Sequence, residues 1–255
     1  MELIKTTIKV GNSAGVLLPK KYLNSEVKII LTPLNIEKDV LEILLKESLL
    51  PETIGVYITG SHTRGEQSIE SDIDILVITN KTEKRIKREK YEILLVTKKT
   101  LENQLKNNIL PLLPMIIEAK PIINKNLLEN YKSTKLTKKN SKWYIEIIKS
   151  GLKVNRAALN LENEIESKYA SDAIAYSLIL HLRSLYLVDK LIKNKTWSNK
   201  ELVGLIKKIT GSTLAYEGYV RVKSNKKRVK NLPIDQAGKL YNYILKEIKN
   251  QEKLI

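Results

Sequence analysis

The sequence predicts an α+β protein: a small mixed sheet flanked by helices, preceded by a short β module and followed by a helical bundle. Three observations carry this. Apolar runs of strand length at Ile54–Thr59, Asp72–Thr79 and Tyr91–Val96 are interspersed with helix-periodic segments over residues 34–135. Beyond a Lys- and Thr-rich link at Lys132–Asn140, apolar residues recur at helical spacing in long segments. Ahead of residue 34 the apolar runs are short and broken by Gly, Asn and Pro. The expected divisions are therefore 1–33, 34–135 and 136–255.

In chain order, Leu3–Val10 alternates between apolar and Lys or Thr positions, as a half-buried strand does. Gly11–Gly15 is a turn cluster, Val16–Leu18 a short strand, and Pro19–Leu23 one helical turn opened by proline. A further strand is expected at Val27–Leu31. A unit of about 32 residues cannot bury a core of its own, so it must pack on the main body or on a second copy of itself. Asn35–Leu50 places Ile36, Val40, Ile43, Leu44 and Leu45 at helical spacing behind an Asn35 N-cap, and Pro51 ends it. Between the second and third core strands the charged Glu83–Lys90 stretch reads as helical, and after the third Thr100–Asn108 reads as a short helix. Met115–Ile123, apolar around Glu118 and Pro121, reads as an edge strand. Trp143–Leu161, Ser171–Lys193, Asn199–Ile209 and Ile234–Lys249 are the helices of the bundle.

Composition narrows the chemistry. There is no uncharged apolar run of about 18 residues, so no membrane span is expected. The first residues lack the basic and apolar regions of a signal peptide, which points to the cytoplasm. With no cysteine, disulfides, thiolate metal sites and cysteine nucleophiles are excluded. His62 and His181 are the only histidines, too few for a zinc site or a histidine-dependent triad of the usual kind. Any metal should be a hard cation on carboxylates. The net charge of +17 favours a polyanionic partner, although a Lys-, Ile- and Asn-rich composition also inflates the lysine count. Residues 189–255 hold 16 Lys/Arg against 6 Asp/Glu, and Ser224–Lys230 (SNKKRVK) is the densest stretch. That loop would bind a polynucleotide or an acceptor's phosphates, or simply be solvated. Tyr216, Tyr219 and Arg221 could stack a base, with packing the simpler reading of the tyrosines.

The informative stretch is Gly60–Val77, GSHTRGEQSIESDIDILV. A strand feeds Gly60-Ser61, a polar connection carries Arg64, and Asp72-Ile73-Asp74 opens the next strand. On a strand, residues two apart share a face at roughly 7 Å between α-carbons, so both carboxylates can bracket one divalent cation. Two acidic residues opening an apolar strand are costly unless metal or water compensates. Two such metals would clamp the attacking and leaving oxygens of an in-line displacement. Gly60 lets the backbone approach phosphates, the Ser61 hydroxyl and nearby N–H groups can donate to them, and Arg64 presents a fork suited to phosphate oxygens.

These residues resemble the signature of the DNA polymerase beta-like nucleotidyltransferase superfamily, particularly its minimal nucleotidyltransferase members. The resemblance implies transfer of a nucleoside monophosphate from a nucleoside triphosphate, most simply ATP, with Mg²⁺ or Mn²⁺. It assigns Gly60, Ser61 and Arg64 to nucleotide binding and Asp72 and Asp74 to metal binding and catalysis. The superfamily also uses a third carboxylate on a later strand, often as the base. Glu92, in YEILLV, is the favoured candidate for that catalytic and metal-binding role, with Glu118 the competitor. VGNSAGVLLPKKYL followed by EVKIIL resembles the AbrB/MazE-type swapped-hairpin module, which implies a homodimer, or DNA binding through Lys5, Lys9, Lys20 and Lys21. The helical half is similar to HEPN-like bundles, though the Arg-x4–6-His motif of their nucleases is not found here.

Two functions follow as expectations. The first is a Mg²⁺-dependent nucleotidyltransferase whose helical half presents a hydroxyl acceptor on a protein, an RNA or a small molecule. The second is a dimeric DNA-binding regulator with a nucleotide-sensing domain of this kind.

Overall fold

The computed structural model describes residues 3, 5, 7–30, 35–68 and 71–254. They fall into two compact units, Met1–Asp39 and Val40–Ile255. In the first, β1 (Ile8–Val10) and β2 (Ser13–Gly15) form a tight antiparallel hairpin, with Gly11 at φ +58° in its turn. A single 3-10 turn at Lys20–Tyr22 follows Pro19, as its sequence suggests. Val16–Leu18 is not a strand, and neither is Val27–Ile30; Leu31 lies outside the described residues. Of the residues expected as a strand at Val27–Leu31, Val27, Ile29 and Ile30 are exposed. An apolar run forms a strand only where a partner takes up its N–H and C=O groups. Lys5, Lys20 and Lys21 are exposed, while the Lys9 side chain lies outside the description.

Helix α1 (Ile36–Lys46) runs across the division. Asn35 caps it by accepting the Lys38 N–H at 2.9 Å. Five strands then build one sheet: β3 (Thr53–Thr59), β4 (Ile73–Thr79), β5 (Lys84–Arg88), β6 (Tyr91–Thr97) and β7 (Lys120–Ile123). Their spatial order is β5-β6-β4-β3-β7, with β4 and β6 parallel and the other neighbours antiparallel. Ile73, Ile75, Leu76 and Val77 of central β4 are buried, and from Ile75 to Ile78 the strand is apolar on both faces. Between and around the strands lie α2 (Ser61–Arg64), α3 (Lys98–Asn107), α4 (Leu112–Glu118) and α5 (Lys125–Lys132).

Two expectations are corrected here. Glu83–Lys90 supplies β5 and is not a helix. KRIKR buries Ile86 alone and leaves the basic residues in solvent, a charged edge of the kind that blocks further pairing. Met115–Ile123 is only partly a strand: Leu112–Glu118 is helical, and pairing begins at Lys120. Leu112, Leu113 and Ile116 turn inward together at helical spacing, and Pro114 sits in the first turn, where a missing N–H costs little. Glu118 therefore ends a helix.

The remaining helices are α6 (Lys138–Glu164), α7 (Asp172–Ile192), α8 (Asn199–Thr210), α9 (Leu214–Lys223) and α10 (Ile234–Leu254). A two-residue pairing of β8 (Tyr169–Ala170) with β9 (Leu232–Pro233) ties the entry of α7 to that of α10. The sequence pattern anticipates α6, α7, α8 and α10, but not α5 or α9. Thr137 and Asn140 form a capping box at the start of α6, and the Asn140 amide also donates to the Leu105 carbonyl of α3 at 3.2 Å. One hydrophobic core continues from Tyr57, Leu76 and Ile78 of the sheet, through Leu101 and Leu113, to Ile148, Leu178 and Leu240. Among the described residues, no helix is long and apolar enough to cross a membrane.

Candidate functional site

The sheet register brings the sequence's acidic residues together. Thr59 of β3 pairs with Asp74 of β4, Asp74 with Glu92 of β6, and Glu92 with Lys87 of β5. Residues in one register row point to the same face, and neighbouring strands lie about 4.8 Å apart, so Asp74 and Glu92 are side by side. Asp72 immediately precedes β4 and is half exposed. Edge strand β5 supplies cations to this acidic row: Arg85 Nη1 lies 3.2 Å from Glu92 Oε1, and Lys87 Nζ lies 3.9 Å from Asp72 Oδ2. Both pairs are solvated and therefore weak.

The connection between β3 and α2 closes over Asp74. Gly60 sits at φ +74°, a region most side chains avoid, and a β-carbon there would overlap the Asp74 carboxylate. Ser61 opens the short helix α2, which Gly65 at φ +69° ends. The Gly60 carbonyl accepts the Thr63 hydroxyl at 2.8 Å, and the Ser61 carbonyl accepts the Glu66 N–H at 3.0 Å. His62 Nε2 is buried without a hydrogen-bond partner among the described residues.

Glu118, the competitor for the third carboxylate, lies behind this loop. Its Oε1 accepts the Gly60 N–H at 2.7 Å, and its Oε2 accepts from Arg64 Nη1 and from Trp197 Nε1, the latter at 2.9 Å. Arg64 also donates through Nε to Glu66 Oε2 at 3.0 Å. Its guanidinium is thus shared between two carboxylates; burial pushes its pKa down, but the charges of Glu118 and Glu66 and their hydrogen bonds together hold it above the usual arginine value. Glu66 in turn accepts the Asn199 N–H at the start of α8, at 3.0 Å. Its carboxyl lies below its usual range, because the Ser198 and Arg64 side chains and the Asn199 N–H outweigh the opposing effect of burial.

The electrostatics converge on Asp74. Burial raises its carboxyl above the ordinary aspartate range. The charges of Glu92, Asp72 and Glu118 raise it further, and Lys223 at the end of α9 opposes them. A buried carboxylate near three others is the kind of site that a cation relieves. Among the described residues, no three acidic or histidine side chains converge closely enough to form a metal cage. Mg²⁺ is usually held by one or two carboxylates together with substrate phosphates, so Asp72 and Asp74 fit the donor set such an ion takes.

Sequence reasoning did not find Lys223, Glu66 or Trp197, nor the place of Glu118 behind the loop. Glu66 lies within the motif itself. The other two are far away in sequence, and nothing local marks them. The basic loop Ser224–Lys230 joins α9 to α10, and its root is fastened through Asp172. Arg221 donates to Asp172 through Nε and Nη2, both at 2.8 Å, and the Val229 N–H donates to it at 2.8 Å. Arg221 is thus a structural anchor. Tyr219 is buried and stacked between Tyr176 and Tyr216, which makes these rings packing. His181 packs against Gly151 of α6, and burial lowers its pKa.

The family model described as "Nucleotidyltransferase domain" matches residues 37–181, more than half of the chain. Among solved structures, a nucleotidyltransferase-like protein from Exiguobacterium sibiricum is 14% identical with a TM-score of 0.39, over 85% of this chain and 76% of that one. A spectinomycin adenyltransferase from Enterococcus faecialis, crystallised with ATP and spectinomycin, is 12% identical with a TM-score of 0.39, over 84% of this chain and 98% of that one. No curated protein matches the sequence.

Proposed function

The chain belongs to the nucleotidyltransferase domain family, and on that premise we propose that it moves a nucleoside monophosphate, most simply AMP from ATP, to a hydroxyl acceptor. The observation that carries the reading is the register row that sets Asp74 beside Glu92, directly under the Gly60 turn. In this reading Gly60 and Ser61 receive the triphosphate. Arg64, already shared between Glu66 and Glu118, adds positive charge behind the loop. Lys223 at the end of α9, whose charge favours the Asp74 carboxylate, is proposed as a further cation for the phosphates. Asp72 and Asp74 hold the divalent ion, Mg²⁺ or Mn²⁺. When bound, that ion supplies Lewis-acid stabilisation of charge on the phosphoryl oxygens.

The bond changes balance as follows. The acceptor oxygen forms a bond to the α-phosphorus, the bond from that phosphorus to pyrophosphate breaks, and the hydroxyl proton passes to a carboxylate. Glu92 is the proposed base, since both oxygens of Glu118 already accept protein donors. We further propose that residues 34–135 carry the nucleotide site and that residues 136–255 present the acceptor. The chain would act in the cytoplasm, as a dimer through its AbrB-like amino-terminal module. Support for the dimer is the exposure of Leu17, Leu23, Val27, Ile29 and Ile30 in that short unit, since exposed aliphatics in such number mark an association surface.

The test is incubation with labelled ATP, Mg²⁺ and cell extract. One species should become labelled, and Asp72→Ala or Asp74→Ala should abolish the signal. The exposed basic Ser224–Lys230 loop favours the regulator as the second reading. No labelling, together with duplex-DNA binding that falls steeply with salt, would establish it instead.

A further inference from the structure

We infer that Glu118 is a positioning residue for the nucleotide loop, and that Trp197 makes its hold part of the connection between α7 and α8. This rests on the nucleotidyltransferase reading and deepens it. The observation is a closed ring of hydrogen bonds. Arg64 donates to both Glu118 and Glu66. Glu118 also accepts the Trp197 indole N–H, and Glu66 the Asn199 N–H, so residues 197–199 complete the circuit. Each carboxylate therefore takes a donor from the α2 loop and a donor from the segment entering α8. That segment is itself pinned to α7, because the Ser198 N–H donates to the Tyr186 hydroxyl at 3.1 Å.

The ring bears on the loop through one further bond, from the Gly60 N–H to Glu118 Oε1 at 2.7 Å. Gly60 has no slack, because its α-carbon faces the Asp74 carboxylate. A shift of about 1 Å there would move Ser61 relative to the phosphates it is proposed to bind, a displacement large enough to cost about a hundred-fold in a reaction. The Glu118 side chain is only 10% exposed and its two oxygens meet three protein donors, so it can hold the loop but is poorly placed to exchange protons with a substrate.

Trp143 and Trp197 are the only tryptophans, and Trp143, exposed on α6, takes no part in the ring's hydrogen bonds. A Trp143→Phe parent therefore leaves Trp197 as the sole tryptophan, whose emission is excited selectively beyond the tyrosine absorption band. ATP with Mg²⁺ is titrated into this parent while emission is recorded, and binding of labelled ATP is measured separately by equilibrium dialysis. The emission should change saturably, at the dissociation constant found by dialysis. By dialysis, Glu118→Gln, which keeps an acceptor for Gly60, should weaken ATP about ten-fold, and Glu118→Ala should weaken it more. Trp197→Phe, compared with the unsubstituted chain, should weaken it about three-fold. Thermal unfolding of each variant accompanies the measurement; if a Glu118 variant does not fold, the emission change and Trp197→Phe decide.

ATP binding by dialysis with unmoved Trp197 emission, and affinities within about two-fold in every folded variant, overturns the inference while leaving the nucleotidyltransferase reading intact. Absence of ATP binding to both the parent and the unsubstituted chain, and of binding by the other nucleoside triphosphates, sinks that reading and the inference with it.

Discussion

Gly60 carries two constraints that no other residue type meets together: a left-handed φ and the nearby Asp74 carboxylate. Gly60→Ala should leave the fold intact and lower nucleotidyl transfer by about a hundred-fold, because the loop must retreat from the site. Circular dichroism and a transfer assay separate the two effects. The position of Asp72 and Asp74 at the head of a strand, next to the Gly60 turn, was legible in the sequence, since two acidic residues opening an apolar run are conspicuous within a short window. The Glu118 bond to Gly60 and the Trp197 bond to Glu118 were not, because they join positions 58 and 79 residues apart.

Asp172 is a structural counterpart in the helical half. Almost completely buried, it is held below the usual carboxylate range by the paired Arg221 guanidinium. A carboxyl whose folded pKa is depressed adds stability above its unfolded pKa, about 3.9, and that stability is lost as pH falls through the lower folded value. Asp172→Asn leaves the part-buried Arg221 guanidinium without its counter-charge and should cost about 1–3 kcal/mol at pH 7. Urea denaturation should show the gap between wild type and variant narrowing as the pH drops below 4, in line with the same linkage.

Elements whose burial follows a single period were read correctly. Helices α6, α7, α8 and α10 and strands β3, β4 and β6 have long, uninterrupted patterns. Strand β5 was misread because its one buried residue, Ile86, lies among four basic ones, and a charged five-residue segment looks the same locally in either conformation. Helix α4 was misread because Glu118 and Pro121 were taken into one window with the strand that follows. The link at Lys132–Asn140 proved to contain the end of α5 and the capped start of α6. There, Asn140→Ala removes one half of the capping box and leaves the Leu105 carbonyl without its donor, so it should cost about 2–3 kcal/mol in urea denaturation, with an unchanged m-value.

At the scale of the whole molecule, the net charge of +17 and the family matched over residues 37–181 bear on partners and chemistry respectively. If the proposed amino-terminal dimer is correct, Ile29→Lys with Ile30→Lys should give a monomer in sedimentation equilibrium. An unchanged dimer mass would place any self-association elsewhere. The most direct test of the central claim follows the label itself. Parallel incubations with Mg²⁺ and cell extract use ATP labelled at the α-phosphate in one and at the γ-phosphate in the other. Transfer of the α-label to the acceptor, with the γ-label released in pyrophosphate, is the predicted result. Transfer of the γ-label instead, or of neither, would contradict it.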